Sequence, residues 1–452
     1  MAQKIKRTVL YPDPSLTHSQ IIMIISIYQC RQYIEQEVTI RGWLVHKRSS
    51  GQVRFLILRD GTGNLQAIML KNKVSPGVLK AFDQLTQESS LSLTGILHDD
   101  SRAPGGVELE IRNLNIFQVT QEYPISPKEH GIAFLMERRH LWLRSARQQA
   151  ILWIRHELTR AVHDFLNAHH FIQLDAPILT PAACEGTSTL FSTPYFDQGN
   201  AYLSQSGQLY MEAGAMAFGR VYCFGPSFRA EKSKTRRHLT EFWMVEPEIA
   251  FAELEELISC AEQLIAFMIG RVMENREQEL NLLERDISFL EKIKPPFPRL
   301  SYTQAIEILG KKGLSFSFGD DLGGDEETLI ASLFEQPVII HRYPSVCKAF
   351  YMKKDPQDLR LVLNMDILAP EGYGEIIGGS EREENLERLQ ERIKEQNLSE
   401  EDLQWYLDLR RFGTAPHGGF GLGLERMVTW VCGLKHVREA IPFPRTLYRL
   451  YP

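Results

Sequence analysis

Two segments of this 452-residue chain carry side chains suited to binding a phosphate-bearing ligand. The segment Phe228–Trp243 is apolar at both ends and strongly basic between them, a pattern that predicts a strand–loop–strand hairpin. Guanidinium groups such as that of Arg229 bind phosphate bidentately, and an aromatic ring can stack on a purine. The same pattern also fits a solvated basic loop between two core strands.

The second segment, Pro416–Val428, begins with glycines and continues as an apolar run. Glycines let a strand lie close to a ligand, and the apolar run predicts a helix with Arg426 in its first turn. The helix dipole disfavours a cation there, so an anionic ligand would compensate it. A glycine-rich packing turn is the alternative. The chain has no G-x-x-x-x-G-K-[ST] motif or dinucleotide fingerprint, so a phosphate site must be built from side chains.

A pair of carboxylates lies between these two segments in the sequence. Asp366 and Glu375 flank a turn-like stretch, which predicts two adjacent strands. Because Mg²⁺ prefers one or two carboxylates together with phosphate oxygens, the pair is a candidate metal site. Two surface carboxylates flanking a hairpin are the alternative.

The elements that must position these residues begin with a small β domain. Five short strand-like runs alternate with turn residues and with one helical segment, Pro76–Thr86. This pattern predicts a Greek-key barrel of the OB-fold type. The runs cover residues 38–45, 53–58, 65–70, 91–97 and 107–112.

The remaining chain predicts a larger α+β domain. Helical periodicity over 145–170, 251–280 and 381–396 is mixed irregularly with strand-like runs, which is not typical of a doubly wound series. The predicted organisation is therefore an N-terminal extension and lead-in (1–35), an OB-fold domain (36–120), a proline-containing linker (121–140) and the α+β domain (141–452).

Composition and charge exclude several classes of protein. With 43% hydrophobic and 24% charged residues, the chain is not collagen-like, coiled-coil or generally disordered. The apolar run Ile21–Ile27 is too short to span a bilayer, and six widely spaced cysteines give no zinc site. The net charge of −6 divides into +4 over residues 1–120 and −10 over the rest, so a mildly basic barrel precedes an acidic body.

Together these segments resemble the class II aminoacyl-tRNA synthetases of the aspartyl/asparaginyl branch. Phe228–Phe242 resembles motif 2 of that class, Gly421–Arg426 resembles motif 3, and Phe171–Pro177 resembles motif 1, the dimer-interface segment. The resemblance covers about residues 30–446. It implies an enzyme that activates an amino acid with ATP and transfers it to tRNA. It also implies a cytoplasmic homodimer, with Pro177 at the interface and no membrane partner.

The resemblance implies roles for individual residues at the ATP site. Arg229 corresponds to the arginine that binds the α-phosphate and the attacking carboxylate, and Arg426 to the one that covers the adenine and reaches the γ-phosphate. These two are the expected catalytic residues. Asp366 and Glu375 would hold Mg²⁺. The implied ATP-binding set is completed by Glu231, Arg237, His238, Phe242 and Glu375.

The implied amino-acid site predicts L-asparagine as the substrate. Met211 stands where aspartyl enzymes carry a lysine, and a thioether cannot neutralise a substrate carboxylate. Arg382 as donor and Glu246 as acceptor suit a side-chain amide and penalise a carboxylate. The residues that match those holding the α-ammonium group are Glu185, Ser206 and Gln208.

The barrel carries two residues that match an anticodon-binding pair. Phe55 corresponds to the ring that stacks on the central anticodon base, and Gln66 to the glutamine that hydrogen-bonds it. Stacking contributes about 1–3 kcal/mol per base. Because asparagine and aspartate anticodons share a central uridine, this pair supports a tRNA partner without separating the two. With asparagine as substrate, the expected partner is tRNA(Asn).

Three rival interpretations stay open on the sequence. An aspartyl-tRNA synthetase, including one that also charges tRNA(Asn), is opposed by Met211 and Glu246. A catalytically idle RNA-binding paralogue is opposed by the intact arginine and carboxylate set. A relative resembling asparagine synthetase would lack the anticodon barrel. The residues before Met23 match nothing, which predicts an N-terminal extension or an upstream start codon.

Overall fold

The structure is a computed structural model that describes residues 23–181, 184 and 189–452. The chain divides into two compact units, residues 1–130 and 131–452. The division falls inside the predicted linker, residues 121–140. Two predictions concern residues outside the described part of the chain: the N-terminal extension before Met23 and the ammonium-binding role of Glu185.

The first unit contains five strands and one helix. They are β1 (Glu37–Ser50), β2 (Val53–Arg59), β3 (Asn64–Leu70), α1 (Pro76–Gln84), β4 (Ser90–Asp99) and β5 (Val107–Gln118). The strands form a closed barrel in the order β1-β2-β3-β5-β4, with β1 antiparallel to β4 and β3 parallel to β5. Alternate side chains such as Leu56, Leu58 and Leu65 fill the barrel, as the period of two requires. The predicted OB-fold is confirmed.

The second unit is built on an eight-stranded sheet. Its strands, in spatial order, are β12 (Arg299–Ser301), β13 (Val338–His341), β16 (Asn364–Ala369), β17 (Gly374–Glu381), β18 (His417–Gly423), β11 (Glu241–Ala250), β10 (Arg220–Phe228) and β6 (Ile172–Gln173). The inner pairs are antiparallel, and parallel pairs occur at both edges. Two small sheets accompany it: β7 (Leu179–Thr180), β8 (Ser192–Pro194) and β9 (Asn200–Leu203); β14 (Lys354–Asp355) and β15 (Asp358–Val362).

Helices surround this sheet in an irregular order, which confirms the α+β class. They are α2 (Ile132–Glu137), α3 (Arg139–Trp142), α4 (Ala146–Ala168), α5 (Gln208–Phe218), α6 (Leu254–Asn275), α7 (Glu277–Leu282), α8 (Ile287–Glu291), α9 (Tyr302–Lys311), α10 (Gly324–Ala331), α11 (Leu386–Glu395), α12 (Gln404–Arg411) and α13 (Leu424–Val431). The three predicted helical segments correspond to α4, α6 and α11. None of the helices in the described ranges combines the length and apolar character needed to cross a bilayer.

One face of the sheet is buried under α4, α6 and α13. Val245 of β11, Ile367 of β16 and Leu422 of β18 lie in the same hydrophobic cluster as Ile151 of α4 and Leu257 of α6. Because side chains alternate along a strand, the next residue along each strand faces the opposite side of the sheet. That opposite face carries the polar residues described below.

Candidate active site

The opposite face of the sheet forms the floor of two adjoining cavities. Glu246, Asp366 and Gly421, each next in sequence to a core residue, line the larger cavity of about 560 Å³. The second cavity, of about 370 Å³, shares Arg229, Met244, Glu375 and Gly421 with the first. We call the larger cavity the amino-acid end and the smaller one the nucleotide end.

The nucleotide end gathers every residue of the implied ATP-binding set. Arg229, Glu231, Arg237, His238, Phe242, Glu375 and Arg426 all line this cavity. The predicted hairpin is formed by β10 and β11, which pair Phe228 with Glu241. Arg229 lies one residue beyond the end of β10. Its N–H donates to the Thr240 carbonyl oxygen at 3.0 Å, so the backbone pairing continues past the strand end.

Two buried polar atoms at the nucleotide end have no hydrogen-bond partner among the described residues. They are Glu231 Oε2 and His238 Nε2. Burial and the nearby Arg426 and Arg229 hold the pKa of His238 below its ordinary value, although Glu231 opposes the shift. The imidazole is therefore neutral near pH 7. An unsatisfied buried polar group costs about 1–3 kcal/mol, so both atoms are suited to bonding a ligand.

Two arginines at this end are held by carboxylates and carbonyl groups. Arg426 lies in the first turn of α13, as predicted, and its Nη1 donates to the Glu375 carbonyl at 2.9 Å and to Glu375 Oε2 at 3.0 Å. Arg237 donates to the carbonyl groups of Gly324 and Gly372. These bonds tie the hairpin loop to α10 and to the β16–β17 turn.

Asp366 and Glu375 converge on one open space, as the metal prediction requires. They lie on neighbouring strands β16 and β17. A Cβ placed on Gly378 would lie 2.9 Å from Glu375 Oε1 and 3.6 Å from Asp366 Oδ1. Glycine at this position therefore keeps the space between the carboxylates free. Two carboxylates beside a phosphate-binding cavity are the oxygen donors that Mg²⁺ prefers.

Charge is crowded around these carboxylates. Burial, followed by the repulsion of Glu375, raises the pKa of Glu327 to about 7. Burial also raises the pKa of Asp366, against the opposing charge of Lys348. Lys348 Nζ lies 2.9 Å from Asp366 Oδ2 and 3.5 Å from Asp321 Oδ1. A bound divalent cation would relieve this repulsion among acids.

The amino-acid end contains four of the six residues predicted to bind the substrate. Ser206, Gln208, Glu246 and Arg382 line the larger cavity. Glu246 accepts hydrogen bonds from the Ser206 hydroxyl and from the Gly207 N–H at 2.8 Å. Carboxylate oxygens have further lone pairs, so Glu246 can also accept from a substrate amide.

Arg382 has a partner that sequence reasoning missed. Its Nε and Nη2 donate to Glu248 Oε1 and Oε2, both at 2.9 Å, and Nη1 donates to Ser380 Oγ at 2.9 Å. Arg382 and Glu248 are both almost completely buried. The guanidinium is therefore fixed in orientation and largely neutralised before any substrate binds.

Met211 does not reach the cavity. Its side chain packs in a small hydrophobic cluster with Ala215, Val221 and Cys223, behind the cavity wall. Cys223 Sγ in turn donates to Glu246 Oε2 at 3.4 Å. Met211 thus contributes no direct contact, and the prediction of a substrate-binding residue is corrected to that of a neutral, apolar residue supporting the wall.

Three functional candidates escaped the sequence interpretation. Glu248 and Lys348 received no role from the sequence, and only the folded geometry shows their partners. Glu327 lies in the glycine- and aspartate-rich segment 310–327, which carried no recognisable signal. Its position on α10, above the β16–β17 carboxylates, depends on long-range packing.

The anticodon pair lies on the outer face of the barrel. Register pairs Phe55 with Ile68 and Gln66 with Ile57, so Phe55 and Gln66 are diagonal neighbours on one face. The Arg48 guanidinium lies 4.0 Å from the centre of the Phe55 ring. Gln66 Nε2 donates to Glu108 Oε2 at 2.6 Å. A half-buried aromatic ring beside an amide and a guanidinium suits stacking on a nucleic-acid base.

Pro177 lies in an exposed stretch next to the edge strand of the large sheet. Ile172, Ile178 and Leu179 around it expose 44%, 46% and 42% of their surface. An edge strand with exposed apolar neighbours is suited to pairing with another chain.

The chain is similar to known proteins over both of its units. Residues 132–447 match the family described as "tRNA synthetases class II (D, K and N)", and residues 38–117 match the "OB-fold nucleic acid binding domain". An asparagine–tRNA ligase of Desulforamulus reducens is 57% identical over 93% of this chain and 98% of its own length. One from Chloroflexus aurantiacus is 53% identical over 93% and 97%.

Solved structures agree with these relatives. Asparaginyl-tRNA synthetase from Pyrococcus horikoshii, complexed with asparaginyl-adenylate, is 44% identical and superposes with a TM-score of 0.92 over 95% of this chain and 99% of that one. A putative aspartyl-tRNA synthetase from Leishmania major is 25% identical, with a TM-score of 0.83 over 98% and 97%. The chain therefore belongs to the class II tRNA synthetases of the D, K and N group.

Proposed function

We propose that this chain is an asparagine–tRNA ligase. It activates L-asparagine with ATP to form asparaginyl-adenylate and pyrophosphate, and then transfers asparagine to the 3′-terminal adenosine of tRNA(Asn). The observation that carries this proposal is made at the amino-acid end, where Arg382 of the cavity wall is already paired with Glu248. The relatives named above support the same substrate.

The cavity explains why a neutral amide fits better than a carboxylate. Arg382 can direct a remaining N–H at the amide oxygen, and Glu246 can accept from the amide NH₂. An aspartate side chain would add a negative charge beside Glu246, where Arg382 is already neutralised by Glu248. Binding sites reject ligands that leave such groups unpaired.

The first step needs positioning and charge neutralisation more than proton transfer. A carboxylate oxygen of asparagine attacks the α-phosphorus of ATP. A bond forms between this oxygen and the α-phosphorus, and the bond from the α-phosphorus to the pyrophosphate oxygen breaks. The nucleophile is already ionised, so no general base is required. Arg229, which lines both cavities, stands where the carboxylate and the α-phosphate meet. Arg426 would neutralise the leaving phosphates.

Mg²⁺ would be held by Asp366 and Glu375, and it would supply positive charge to the phosphate oxygens when bound. Phe242 offers its ring to the adenine, and Glu231 Oε2 and His238 Nε2 are placed to bond the nucleotide. In the second step the adenosine hydroxyl of tRNA replaces AMP at the carbonyl carbon.

The remaining partners follow from the same proposal. The OB-fold unit, through Phe55 and Gln66, would read the anticodon of tRNA(Asn). The exposed apolar stretch around Pro177 would form a homodimer interface. The proposed reaction would take place in the cytoplasm.

Pyrophosphate exchange tests the proposed activation step. The protein is incubated with ATP, labelled pyrophosphate and either asparagine or aspartate, and labelled ATP is measured. Exchange driven by asparagine is expected, with little driven by aspartate. Exchange driven mainly by aspartate, or by neither amino acid, would contradict the proposal.

A further inference from the structure

A fully buried carboxylate lies directly behind the amino-acid end. Glu212, on α5, exposes none of its side chain and does not line the cavity. Its oxygens accept from Tyr406 Oη at 2.8 and 2.9 Å, from Arg410 Nη2 at 2.8 Å and from Gln208 Nε2 at 3.0 Å. His417 Nε2 lies 3.0 Å away. We call Glu212 and these four partners the Glu212 cluster.

The cluster touches two residues of the cavity wall. Gln208 donates to Glu212 directly, and Arg382 Nε lies 3.9 Å from Glu212 Oε1. Glu212 follows Met211, the position at which the aspartyl type of sequence carries a lysine. Next to the position where that lysine is missing, this chain therefore carries the carboxylate of Glu212, which contacts the cavity wall.

Glu212 is ionised in the folded protein. Burial opposes its charge, but Arg410, His417 and Arg382 outweigh burial and hold the pKa of Glu212 well below its ordinary value. His417 Nδ1 lies 2.8 Å from the Ala415 carbonyl oxygen, and Nε2 faces Glu212.

The charges immediately around Arg382 and Glu212 balance. Glu248 pairs with Arg382, and Glu212 pairs with Arg410. Two negative charges therefore meet two positive ones. A neutral side-chain amide preserves this balance, whereas a carboxylate adds one uncompensated buried charge, which is costly at low dielectric.

We propose that Glu212 is a specificity-determining positioning residue, which fixes Gln208 and balances the charge around Arg382 so that asparagine is accepted and aspartate rejected. Removing this one negative charge leaves the region with an excess positive charge. An aspartate side chain would then neutralise the excess. This inference rests on the proposed asparagine specificity and names the residue that produces it.

The test is Glu212→Gln, which keeps the shape of the side chain and removes its charge. Pyrophosphate exchange is measured with asparagine and with aspartate, together with the KM for ATP. We expect kcat/KM for asparagine to fall about tenfold and that for aspartate to rise about tenfold, so that their ratio changes about a hundredfold. The KM for ATP should stay within about twofold, since the nucleotide end is untouched.

Two further variants separate charge from structure. Tyr406→Phe removes one donor to Glu212 without changing charge, and it should leave the asparagine-to-aspartate ratio within about threefold of wild type. The double variant Glu212→Gln/Arg410→Gln restores the charge balance and should recover the preference for asparagine. A purely packing role for Glu212 predicts no recovery in the double variant.

Several results would overturn the inference. An unchanged ratio in Glu212→Gln, or an equal loss of exchange with both amino acids, would make Glu212 a structural residue only. If Glu212→Gln does not fold, Arg410→Gln tests the opposite charge change and should raise the ratio; an unmoved ratio there rejects the inference. Wild-type failure with asparagine would instead reject the proposed function, so the two failures are distinguishable.

Discussion

The two ends of the cavity differ in how far their charges are satisfied before a ligand binds. At the amino-acid end, Glu248 holds Arg382 through two bonds, and Glu212 accepts from four side chains. At the nucleotide end, Glu231 Oε2 and His238 Nε2 lack partners among the described residues.

This difference separates recognition from chemistry. A preformed and rigid wall discriminates between substrates that differ by one charge, because it cannot rearrange to accept the wrong one. In the proposed function, the nucleotide end would be completed by its ligand, since phosphates, Mg²⁺ and adenine would supply the missing partners.

Arg229→Ala should almost abolish activation. Arg229 lines both cavities, so its loss removes the positive charge at the reacting phosphate, and exchange should fall about a thousandfold in kcat. The exposed Lys232 of the same loop is the control, and Lys232→Ala should stay near wild type. Equal effects of the two variants would show that the loop acts by general charge and not through Arg229.

Gly378→Ala should disable the metal-binding space. The added Cβ would lie 2.9 Å from Glu375 Oε1, so the two carboxylates must move apart. We expect exchange to fall about a hundredfold and the Mg²⁺ concentration for half-maximal activity to rise. Gly225→Ala is the matched control on the same sheet, because nothing lies within 4 Å of its added Cβ. If Gly378→Ala kept the Mg²⁺ dependence of the wild type, the space between Asp366 and Glu375 would not be a Mg²⁺ site.

Phe242→Leu should weaken ATP binding while leaving amino-acid choice intact. Loss of the ring that faces the nucleotide end should raise the KM for ATP about tenfold, with an unchanged asparagine-to-aspartate ratio. Trp243, the next residue on β11, does not line either cavity. Trp243→Leu therefore serves as control. If Phe242→Leu also changed the ratio of exchange with asparagine to exchange with aspartate, the two ends of the cavity would not act independently.

Phe55→Leu in the barrel should affect only the tRNA step. The KM for tRNA in aminoacylation should rise about tenfold, since stacking on one base is lost, while pyrophosphate exchange stays unchanged. Phe117→Leu, at an exposed ring of β5, is the comparison variant. If exchange without tRNA also declined, the effect would be one of stability and not of anticodon binding.

Glu327→Gln should stabilise the ligand-free protein above neutral pH. The folded pKa of about 7 exceeds the ordinary 4.5, so the unfolded chain loses its proton first as pH rises between these values, and the free energy of unfolding falls. The variant removes this penalty. We expect a gain of about 1 kcal/mol at pH 8 and a smaller one at pH 5, measured by urea unfolding. Glu326→Gln is the control. If Glu327→Gln gained the same free energy of unfolding at pH 8 and pH 5, charge repulsion at Glu327 would not be the cause.

Much of this site was predictable because its residues lie close in sequence within the hairpin and the glycine-rich strand. Arg229, Phe242 and Arg426 each belong to a local strand, turn or helix whose pattern is visible in the chain. The OB-fold followed from period-two alternation in five runs. Asp366 and Glu375 were found because a single turn separates their strands.

The remaining residues depend on contacts between distant segments. Glu212 meets Arg410 and His417 across about 200 positions of sequence, and only the folded sheet brings them together. Met211 was assigned to the cavity because of its neighbours in sequence. Its position on α5 instead directs its side chain towards a hydrophobic cluster. Glu327 reaches Glu375 through α10, whose packing no local pattern specifies.

The most direct test of the contrast between the two ends is the affinity for stable adenylate mimics. Asparaginyl-sulfamoyl adenosine and its aspartyl counterpart share every group except the side-chain amide or carboxylate, and isothermal titration calorimetry measures the Kd of each. Because Arg382 is already paired with Glu248, the asparaginyl compound should bind at least about a hundredfold more tightly. Equal affinities, or tighter binding of the aspartyl compound, would contradict the account.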